Sequence, residues 1–319
     1  MSSEPRIIEG TVVENSEPKA ENAYREFDAP APVELTVNID SGAVDVKLEQ
    51  TDKVTVTVAP GPAPAGGIGA GIAGIVNWVS TQFGNQSTPP RSQDELLRDA
   101  IRLTRVEQHG RNIAVQTPKN LPLRTIGLQI TVTAPEGSTV LVHGKLAAID
   151  VTGPAERATL NTATGDITLD KVAHTSILST GSGSVRVTGS QDGLKIRTGT
   201  GDVEVGSLAG HTSIGTGGGN VWLGSVNGVV KARSGTGALT IADAAGGVID
   251  VGTGSGSVQV GIREGVLANL DLNSAWGTAR SELDISETAP VNPPAGAPTV
   301  IVKARTGAGN VLVARATTE

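Results

Sequence analysis

The sequence predicts an all-β protein built as a β-solenoid, and three observations support this class. A Gly-x-Gly-x-apolar-x-apolar unit recurs along the second half of the chain. Apolar residues outside these units also alternate with polar ones. Aromatic residues make up only 2% of the 319 residues, whereas glycine contributes 42. A short, fixed sequence period is typical of stacked coils in which each coil covers its neighbours.

The second glycines of the repeat follow one another at a nearly constant spacing. They fall at positions 165, 183, 201, 219, 237 and 256, so the steps are 18, 18, 18, 18 and 19 residues. A degenerate copy stands at Gly277 and the last at Gly309. An apolar pair follows each regular second glycine, as Val185 and Val187 do after position 183. This alternation predicts strands with one buried face, joined by tight glycine bends.

We therefore expect a single-stranded, right-handed β-helix-like solenoid of about 18-residue coils. A left-handed hexapeptide helix has apolar residues six positions apart. Here they stand 2, 4, 11 and 13 positions into each coil, so that alternative is excluded. The calcium-binding nonapeptide repeat is excluded as well, because Asp166 and Asp202 have no counterparts in the other coils.

Composition divides the chain into successive parts. These are a polar tail at 1–30, an irregular β section at 31–153 with an uncharged Gly-rich helical insert at 61–92, the regular repeat at 154–285, a Pro-rich loop at 286–298 and a final coil at 299–315. The strand edge of that final coil, around Val300–Val313, is predicted to accept a strand from another chain.

The insert carries apolar residues at helical spacing. They are Ile68, Ile72, Ile75, Val76, Val79 and Phe83, with Trp78 beside them. The stripe is consistent with a helix packed on the solenoid, with a membrane or assembly element, and with a disordered segment. Residues 54–90 contain no Lys or Arg, which argues against membrane binding, because interfacial helices are usually basic on their polar face.

A capping-box spacing follows the insert. Ser92 stands three residues before Glu95. This pattern marks the start of a helix, because each side chain accepts a hydrogen bond from the other residue's backbone N–H. We expect a short helix from Gln93 to Ile101.

A column of basic residues is predicted on the outer surface of the coils. The cations stand six and four positions before three of the second glycines and are Lys195, Arg197, Lys231, Arg233, Lys303 and Arg305. Two coils without cations at these positions interrupt the column. It could bind an anionic lipid, a polymer or an acidic partner. It could also be a solvated face that protects the sheet from edge-to-edge aggregation.

The coils resemble a known family. The stretches Val258–Gly265 and Leu270–Gly277, together with Ser281–Asp284 and Val302–Gly307, are similar to the bacterial "putative adhesin" β-strand-repeat family of the toast-rack group, in its actinobacterial cytoplasmic branch. The resemblance covers most of 31–59 and 100–315 and leaves out the insert. It implies a single-chain β-solenoid without catalytic residues. Related toast-rack domains occur in envelope-stress systems, which implies scaffolding or sensing near membranes.

No pattern in the sequence indicates enzyme chemistry. The chain has no Cys, which excludes disulfides, thiolate metal sites and a Cys nucleophile. Its four histidines lie far apart, and no Ser has a His and Asp partner at a recognisable spacing. A polysaccharide-cleaving β-helix would need a cleft with several acidic or aromatic groups, and only Trp222 is expected to project outward. We therefore expect no catalytic residue, no cofactor and no metal ion.

The sequence predicts a non-enzymatic structural or scaffold protein that assembles with itself end to end, as a homo-oligomer or filament. The alternative is a binding module that uses the insert and the basic column at an anionic membrane surface or on an envelope protein. The formal charge of −7 argues against nucleic acid as a partner. The first residues lack a basic segment followed by an apolar one, which favours a cytoplasmic location, peripheral to the membrane in the alternative.

Overall fold

The computed structural model describes residues 22–62, 92–283 and 298–316, and these residues form an all-β structure with one α-helix. The all-β prediction is thus confirmed. The strands are β1 (Ala23–Asp28), β2 (Glu34–Glu49), β3 (Lys53–Pro60), β4 (Arg105–His109), β5 (Asn112–Gln116), β6 (Leu128–Pro135), β7 (Thr139–Ala155), β8 (Arg157–Thr164), β9 (Ile167–Val172), β10 (Ser176–Ser182), β11 (Val185–Ser190), β12 (Leu194–Thr200), β13 (Val203–Gly218), β14 (Val221–Thr236), β15 (Leu239–Ser255), β16 (Val258–Ile262), β17 (Leu267–Trp276), β18 (Ala279–Ser281), β19 (Thr299–Ala308) and β20 (Val311–Arg315). The helix is α1 (Gln93–Leu103), and a 3-10 turn spans Leu123–Thr125.

The repeats pair in parallel as successive rungs. Val203 lies opposite Val221, and Ile196 opposite Ile214, so each partner stands 18 residues along the chain. Each rung contributes to two ladders of strands. The front ladder runs β8–β10–β12–β13–β14–β15–β19–β17, and the back ladder runs β9–β11–β13–β14–β15–β16–β20–β18. The long strands β13 to β15 belong to both, because each bends from the back ladder into the front one.

The core lies between the two ladders. Alternate residues point inward from each strand, as Val185 and Val187 do from β11 and Ile196 does from β12, and all three are at most 3% exposed. Burial of one such side chain contributes roughly 1.5–3 kcal/mol before conformational entropy is subtracted. Short aliphatic side chains fill the space in every rung, which explains why the repeat contains so few aromatic residues.

A column of buried hydroxyls accompanies the aliphatic core. One Thr or Ser per rung, three positions before the second glycine, donates a hydrogen bond to a carbonyl oxygen in the preceding rung. Thr180 donates to Gly165 at 3.0 Å and Thr198 donates to Gly183 at 3.1 Å. The other members are Thr162, Thr216, Ser234, Thr253 and Thr306. The repeat is therefore better written [Ser/Thr]-Gly-x-Gly, a feature that the sequence analysis overlooked.

The second glycines make the bends possible. Gly219 has a φ of +151°, which L side chains rarely adopt. A Cβ built on Gly219 would overlap the carbonyl oxygen of Gly201 in the preceding rung. Backbone therefore packs directly on backbone at this corner, and a side chain has no room.

Antiparallel strands and the helix lie at the N-terminal end of the stack. The long strand β2 pairs with β7 on one side and with β5 and β6 on the other. Outside these, β3 pairs antiparallel with β6, β1 with β3, and β4 with β5. Helix α1 has Ala100 and Ile101 buried against the core. Its predicted capping box is confirmed, although the helix extends to Leu103 rather than Ile101.

The segment 299–315 does not form the end of the stack, and the prediction of a free edge at Val300–Val313 is wrong. Strand β19 pairs with β15 on one side and with β17 on the other, and β20 likewise lies between β16 and β18. The physical reason is burial. Both ends of the predicted edge, Val300 and Val313, are fully buried, whereas Leu270 and Leu272 of β17 are only half-buried. The more apolar rung, formed by β19 and β20, takes the interior position. The less apolar rung, formed by β17 and β18, lies at the end of the stack.

The residues predicted to form a helical stripe in the insert lie outside the described residues, as does most of the Pro-rich loop. This applies to Ile68, Ile72, Ile75, Val76, Trp78, Val79 and Phe83. Their role as a membrane or assembly element stays a prediction.

Candidate functional site

The six cations of the predicted column all lie exposed on the outer side of the front ladder: Lys195, Arg197, Lys231, Arg233, Lys303 and Arg305. Alternate rungs carry them. The rung with Ser213 separates the first pair from the second, and the rung with Asp250 separates the second from the third. Parallel strands lie about 4.8 Å apart, so equivalent cations recur about every 10 Å. We call this surface, from Lys195 to Arg305, the cationic face.

Two of the cations are neutralised by carboxylates of the neighbouring rungs. Arg233 Nη2 lies 2.8 Å from Asp250 Oδ2, and Arg305 Nη2 lies 3.1 Å from Asp271 Oδ2. The second pair exists because β17 lies beside β19, an arrangement that the sequence did not predict. Six cations and two carboxylates leave a formal charge of +4 on this face. Four cations form no ion pair within the described part of the chain: Lys195, Arg197, Lys231 and Lys303.

Apolar side chains border the cationic face on one side. Val229, Val248 and Ile301 lie opposite one another on three successive rungs of the front ladder. Val229 and Ile301 are exposed, and Val248 is half-exposed. They stand two residues before Lys231, Asp250 and Lys303 on the same strands. The face thus combines spaced positive charge with a short apolar edge.

Asp166 and Asp202, the two carboxylates that follow second glycines of the repeat, form hydrogen bonds in the turns. Asp166 Oδ1 accepts a hydrogen bond of 2.7 Å from the backbone N–H of Ser184, one rung further on. Asp202 Oδ1 accepts an equivalent bond of 2.7 Å from Asn220. The Asn220 side chain repeats the contact at 2.9 Å with the N–H of Ala238. Asp and Asn recur after the second glycine because they connect the bends of neighbouring rungs.

A second pair of carboxylates, not predicted from the sequence, lies where β2 and β7 continue the back ladder beyond β9. Asp45 and Asp150 face outward at paired positions of β2 and β7, and Gln129 Nε2 donates a 2.6 Å hydrogen bond to Asp45. Burial, and then the negative charge of Asp45, raise the pKa of Asp150. A raised carboxyl pKa means that the folded protein favours the protonated form, so Asp150 lowers stability as the pH rises through that pKa.

Trp222 lies exposed on the outer side of the back ladder, as the sequence predicted for its outward position. Its indole extends along its own strand toward Gly224. Its Cη2 atom lies 3.1 Å from the position that a Cβ on Gly224 would occupy. The ring therefore lies across the glycine, and 41% of the residue stays accessible. A second exposed aromatic residue, Trp276, stands at the end of β17 with 82% of its surface accessible; the sequence analysis assigned it no role.

A row of small residues passes Trp222 on the outer side of the back ladder, one from each of the strands β13, β14, β15, β16 and β20. Its members are Gly206, Gly224, Ala242, Gly261 and Ala314. A Cβ on Gly224 would overlap the carbonyl oxygen of Gly206, and one on Gly261 would overlap that of Ala242. Two of the five members are covered, because Gly224 lies buried against the Trp222 indole and Gly261 lies buried against the Ala316 backbone. We call the row and its borders the Trp222 trough.

The strands at the C-terminal end of the stack have one partner each. Within the described residues, β17 pairs only with β19, and β18 only with β20. The core residues of this terminal rung, Leu270 and Leu272, stay half-buried. Its outward residues are polar, with Asn269 and Asn273 on either side of Asp271. Unpaired backbone groups at such an edge are available for a further strand.

Two clefts lie near the N-terminal end. One of 490 Å³ lies between helix α1 and strands β1 and β4, lined by residues that include Arg25, Glu95 and Arg102. The other, of 290 Å³, is lined by Asp40, Lys119, His143 and Lys145 among others. Asp40 forms an ion pair of 2.7 Å with Lys145. In the second cleft the Thr117 hydroxyl contacts backbone groups: it donates to the Asn38 carbonyl oxygen and accepts from the Asp40 N–H, both at 3.4 Å.

The histidines do not come together. His143 lies on β7, with Nδ1 3.5 Å from Asn161 Nδ2, and His211 lies on β13 in the column that leads to Val229. No group of three His, Asp or Glu residues within 22–62, 92–283 and 298–316 is arranged to hold a metal ion. No helix in the same ranges has the length and apolar character that a membrane span requires.

Comparisons with known proteins leave the family open. No family model matches the sequence, and no curated protein matches it. Several solved structures align with most of this chain, among them the following three. A "putative lipid binding protein" of Parabacteroides distasonis gives a TM-score of 0.49 at 11% identity, covering 92% of this chain and 96% of its own. A "putative adhesin" of Bacteroides fragilis gives 0.40 at 15% identity, covering 93% and 98%. A "putative adhesin" of Parabacteroides distasonis gives 0.31 at 8% identity, covering 92% and 97%.

At these TM-scores and identities, the likeness establishes neither a family nor a function for this chain. The resemblance to the adhesin β-strand-repeat family, including its actinobacterial cytoplasmic branch, stays a prediction. The candidate sites are therefore the three surfaces of the molecule itself: the cationic face, the Trp222 trough and the edge of the terminal rung.

Proposed function

We propose that this protein is a non-enzymatic structural scaffold, in which the rungs form one continuous β-solenoid and a second copy docks on the terminal rung. The observation that carries the proposal is the contrast between the two ends of the stack. Strands β17 and β18 continue the parallel rungs, and each has one partner among the residues that the structure describes. At the other end, antiparallel strands and helix α1 interrupt that pattern.

The two ends favour a pair of molecules over a filament. In a filament, the N-terminal end of one stack must pair with the C-terminal end of the next. The outermost N-terminal strands carry charged residues such as Arg25, Glu26 and Glu107, which oppose the addition of a strand. A two-fold axis across the terminal rung would set β17 antiparallel to β17 of the second copy and β18 to its counterpart. Half-buried Leu270 and Leu272 would then cover one another. An isologous contact of this kind closes on itself as a dimer.

Substitutions that add positive charge to the edge strand β17 test this proposal. We expect the unaltered full-length protein to sediment as a dimer, and the double variant Asn269→Lys/Asn273→Lys to sediment as a monomer. Both positions are exposed on β17, and like charges placed opposite one another destabilise an antiparallel pair. Sedimentation velocity over a range of concentrations measures the change. Circular dichroism checks that the variant keeps its strand content.

The matched control is Asn227→Lys/Gln259→Lys, which adds the same charge at exposed positions on interior rungs. We expect this variant to remain dimeric. An unaltered protein that is monomeric at every concentration, or a β17 variant that still dimerises, would overturn the terminal-rung proposal.

The cationic face favours a second function, a binding module on an anionic lipid surface. A net charge of +4 on one face contrasts with the formal charge of −7 of the whole chain. The four cations without ion pairs keep their charge available, and Val229 and Ile301 add apolar contact at one border. Each Lys near an anionic membrane contributes about 1 kcal/mol to binding. A location at the cytoplasmic side of the membrane would follow from this second proposal.

Vesicle binding tests the second function. We expect Lys195→Glu/Lys231→Glu/Lys303→Glu to bind phosphatidylglycerol vesicles about 100-fold more weakly than the unaltered protein, because about 1 kcal/mol is lost per Lys. The control Lys47→Glu/Lys119→Glu/Lys171→Glu makes the same change in charge at exposed positions elsewhere and should bind normally. Co-sedimentation at low ionic strength measures both. Equal losses of vesicle binding in the two variants, or no binding by the unaltered protein, would contradict this function. Deletion of residues 61–90 tests the contribution of the insert separately.

A further inference from the structure

We propose that Asp271 of β17 faces Asp271 of the second copy across the two-fold axis, and that two cations of the neighbouring strand β19, Lys303 and Arg305, permit this contact by neutralising the carboxylates. The inference rests on the proposed docking of a second copy on the terminal rung, and it names the contact that selects this partner. The partner is then another molecule of the same chain, recognised through a carboxylate at the same position.

The alternation along β17 restricts where the axis can lie. In an antiparallel pair, residues directly opposite one another point to the same side of the sheet. The half-buried Leu270 and Leu272 must therefore oppose inward residues, so the axis passes through a residue and not between two. An axis through Asp271 places Leu270 opposite Leu272 of the second copy, twice by symmetry. An axis through Leu272 would place Leu270 opposite Ser274, and an axis through Leu270 would place Leu272 opposite Ala268. The leucines of both copies cover one another most completely with the axis at Asp271, which burial of apolar area favours.

This register brings two carboxylates together. Asp271 is the only charged residue of β17, whose other outward residues include Asn269 and Asn273. Residues directly opposite one another in an antiparallel pair have Cβ atoms about 4.5–5.5 Å apart, and like charges at such positions destabilise the pair. An edge with a bare carboxylate on the axis would therefore repel a second copy.

Strand β19 supplies the compensating charge. Arg305 Nη2 lies 3.1 Å from Asp271 Oδ2, and Lys303 occupies the position directly opposite Asp271 on β19. The side chains of Asp271 and Arg305 are both more than half exposed, so their ion pair lies at the surface beside the edge that a second copy would meet. In the dimer, the two carboxylates would lie at the centre and the cations of each copy outside them.

This arrangement fits a second copy better than a cationic or a neutral partner strand. A cationic strand would be attracted to a bare carboxylate, whereas Asp271 already has an ion pair within its own chain. A neutral strand would gain nothing from Lys303 and Arg305. A strand with a carboxylate at the facing position gains from both cations, and β17 of another molecule places one there by symmetry.

Removal of the two cations tests the inference. We expect Lys303→Gln/Arg305→Gln to raise the dissociation constant of the dimer about fivefold or more at low ionic strength, because two bare carboxylates then face each other. Addition of Asp271→Asn to the same variant should restore the dissociation constant of the unaltered protein. Sedimentation equilibrium of the full-length proteins measures both. The restoration separates the charge of Arg305 from its packing, since a lost packing contact would not return with Asp271→Asn.

A mixture of two variants tests the position of the axis. Asp271→Lys places like positive charges opposite one another, so this variant should also associate weakly with itself. Mixed in equal amounts with Lys303→Gln/Arg305→Gln, it should form a heterodimer that is tighter than either homodimer, because opposite charges then meet on the axis. Fluorescence-detected sedimentation with one variant labelled measures the heterodimer. Position 271 faces itself only if the axis lies there, so another axis would give no such gain.

The matched control is Lys171→Gln/Arg186→Gln, which removes the same charge from exposed positions away from the edge and breaks the 2.9 Å ion pair between Arg186 and Glu204. We expect this variant to dimerise like the unaltered protein, and circular dichroism checks the fold of every variant. If the unaltered protein is monomeric, the docking of a second copy fails and this inference fails with it. If the protein dimerises but the control and the β19 variant weaken equally, Asp271→Asn restores nothing, or the mixture gives no gain, the docking stands and the axis at Asp271 is overturned.

Discussion

Gly219→Ala is expected to destabilise the protein by about 3 kcal/mol or more. At a φ of +151° a non-glycine residue is strained, typically by about 1–3 kcal/mol. The added Cβ would also overlap the carbonyl oxygen of Gly201, which belongs to the backbone of the preceding rung and cannot rotate away. Two rungs must separate locally to admit it. Urea denaturation followed by circular dichroism measures the effect, and hydrogen exchange shows whether the loss of protection is centred on β13 and β14.

Gly215→Ala is the matched control, four residues earlier in the same rung. A Cβ at Gly215 meets nothing within 4 Å, and its backbone has ordinary strand geometry. We expect its unfolding free energy to remain within about 0.5 kcal/mol of the unaltered protein. If both glycines tolerate Ala equally, the corner at Gly219 is not the close backbone contact described above.

The repeating elements could be predicted from the sequence because each is encoded locally. The second glycine, the apolar pair after it and the outward cations recur at fixed offsets, so Gly219, Val203 and Lys231 could be assigned to bend, core and surface without knowledge of the fold. The buried hydroxyls were equally visible in the repeat. They were not assigned to the core, because hydroxyl side chains do not belong to the aliphatic pattern that marks it, and yet Thr198 is only 6% exposed.

The order of the rungs could not be predicted, because the local pattern does not specify which rung lies beside which. The strands at Leu267–Trp276 and Thr299–Ala308 show the same alternation. The signal for their order is the size and hydrophobicity of the inward side chains. Ala279 and Ser281 stand at positions where the neighbouring rung carries Val311 and Val313. The ion pair between Arg305 and Asp271 depends on this order. It could not be inferred for the same reason.

The Trp222 trough was only half predictable. The outward direction of the Trp222 side chain follows from the alternation of apolar and polar residues along β14. The orientation of the indole over Gly224, and the alignment of Gly206, Ala242 and Gly261 beside it, depend on side-chain torsion and on inter-rung register. Neither is encoded within a single repeat. The ion pair between Arg263 and Asp243, which are 20 residues apart, likewise depends on the register of the rungs.

Introduced cysteine pairs are expected to show the order of the last rungs in an all-or-none manner. The chain contains no Cys, so every disulfide that forms is an introduced one. Asp250 and Lys303 occupy paired positions on β15 and β19, about 4.8 Å apart across the ladder. Disulfides bridge Cα atoms 4.4–6.8 Å apart. We therefore expect Asp250→Cys/Lys303→Cys to cross-link almost completely under mild oxidation.

Asp250→Cys/Asp271→Cys is the matched control, because β19 separates these two positions and places them about 10 Å apart, beyond the reach of a disulfide. We expect it to keep two free thiols, measured by mass spectrometry after alkylation of dilute protein. A stack in chain order would give the opposite result, since β17 would then lie directly beside β15. The edge available to a second copy would move with it, from β17 to β19. The same pair of variants therefore decides which strand the docking proposal must use, since that proposal requires β17 to be outermost.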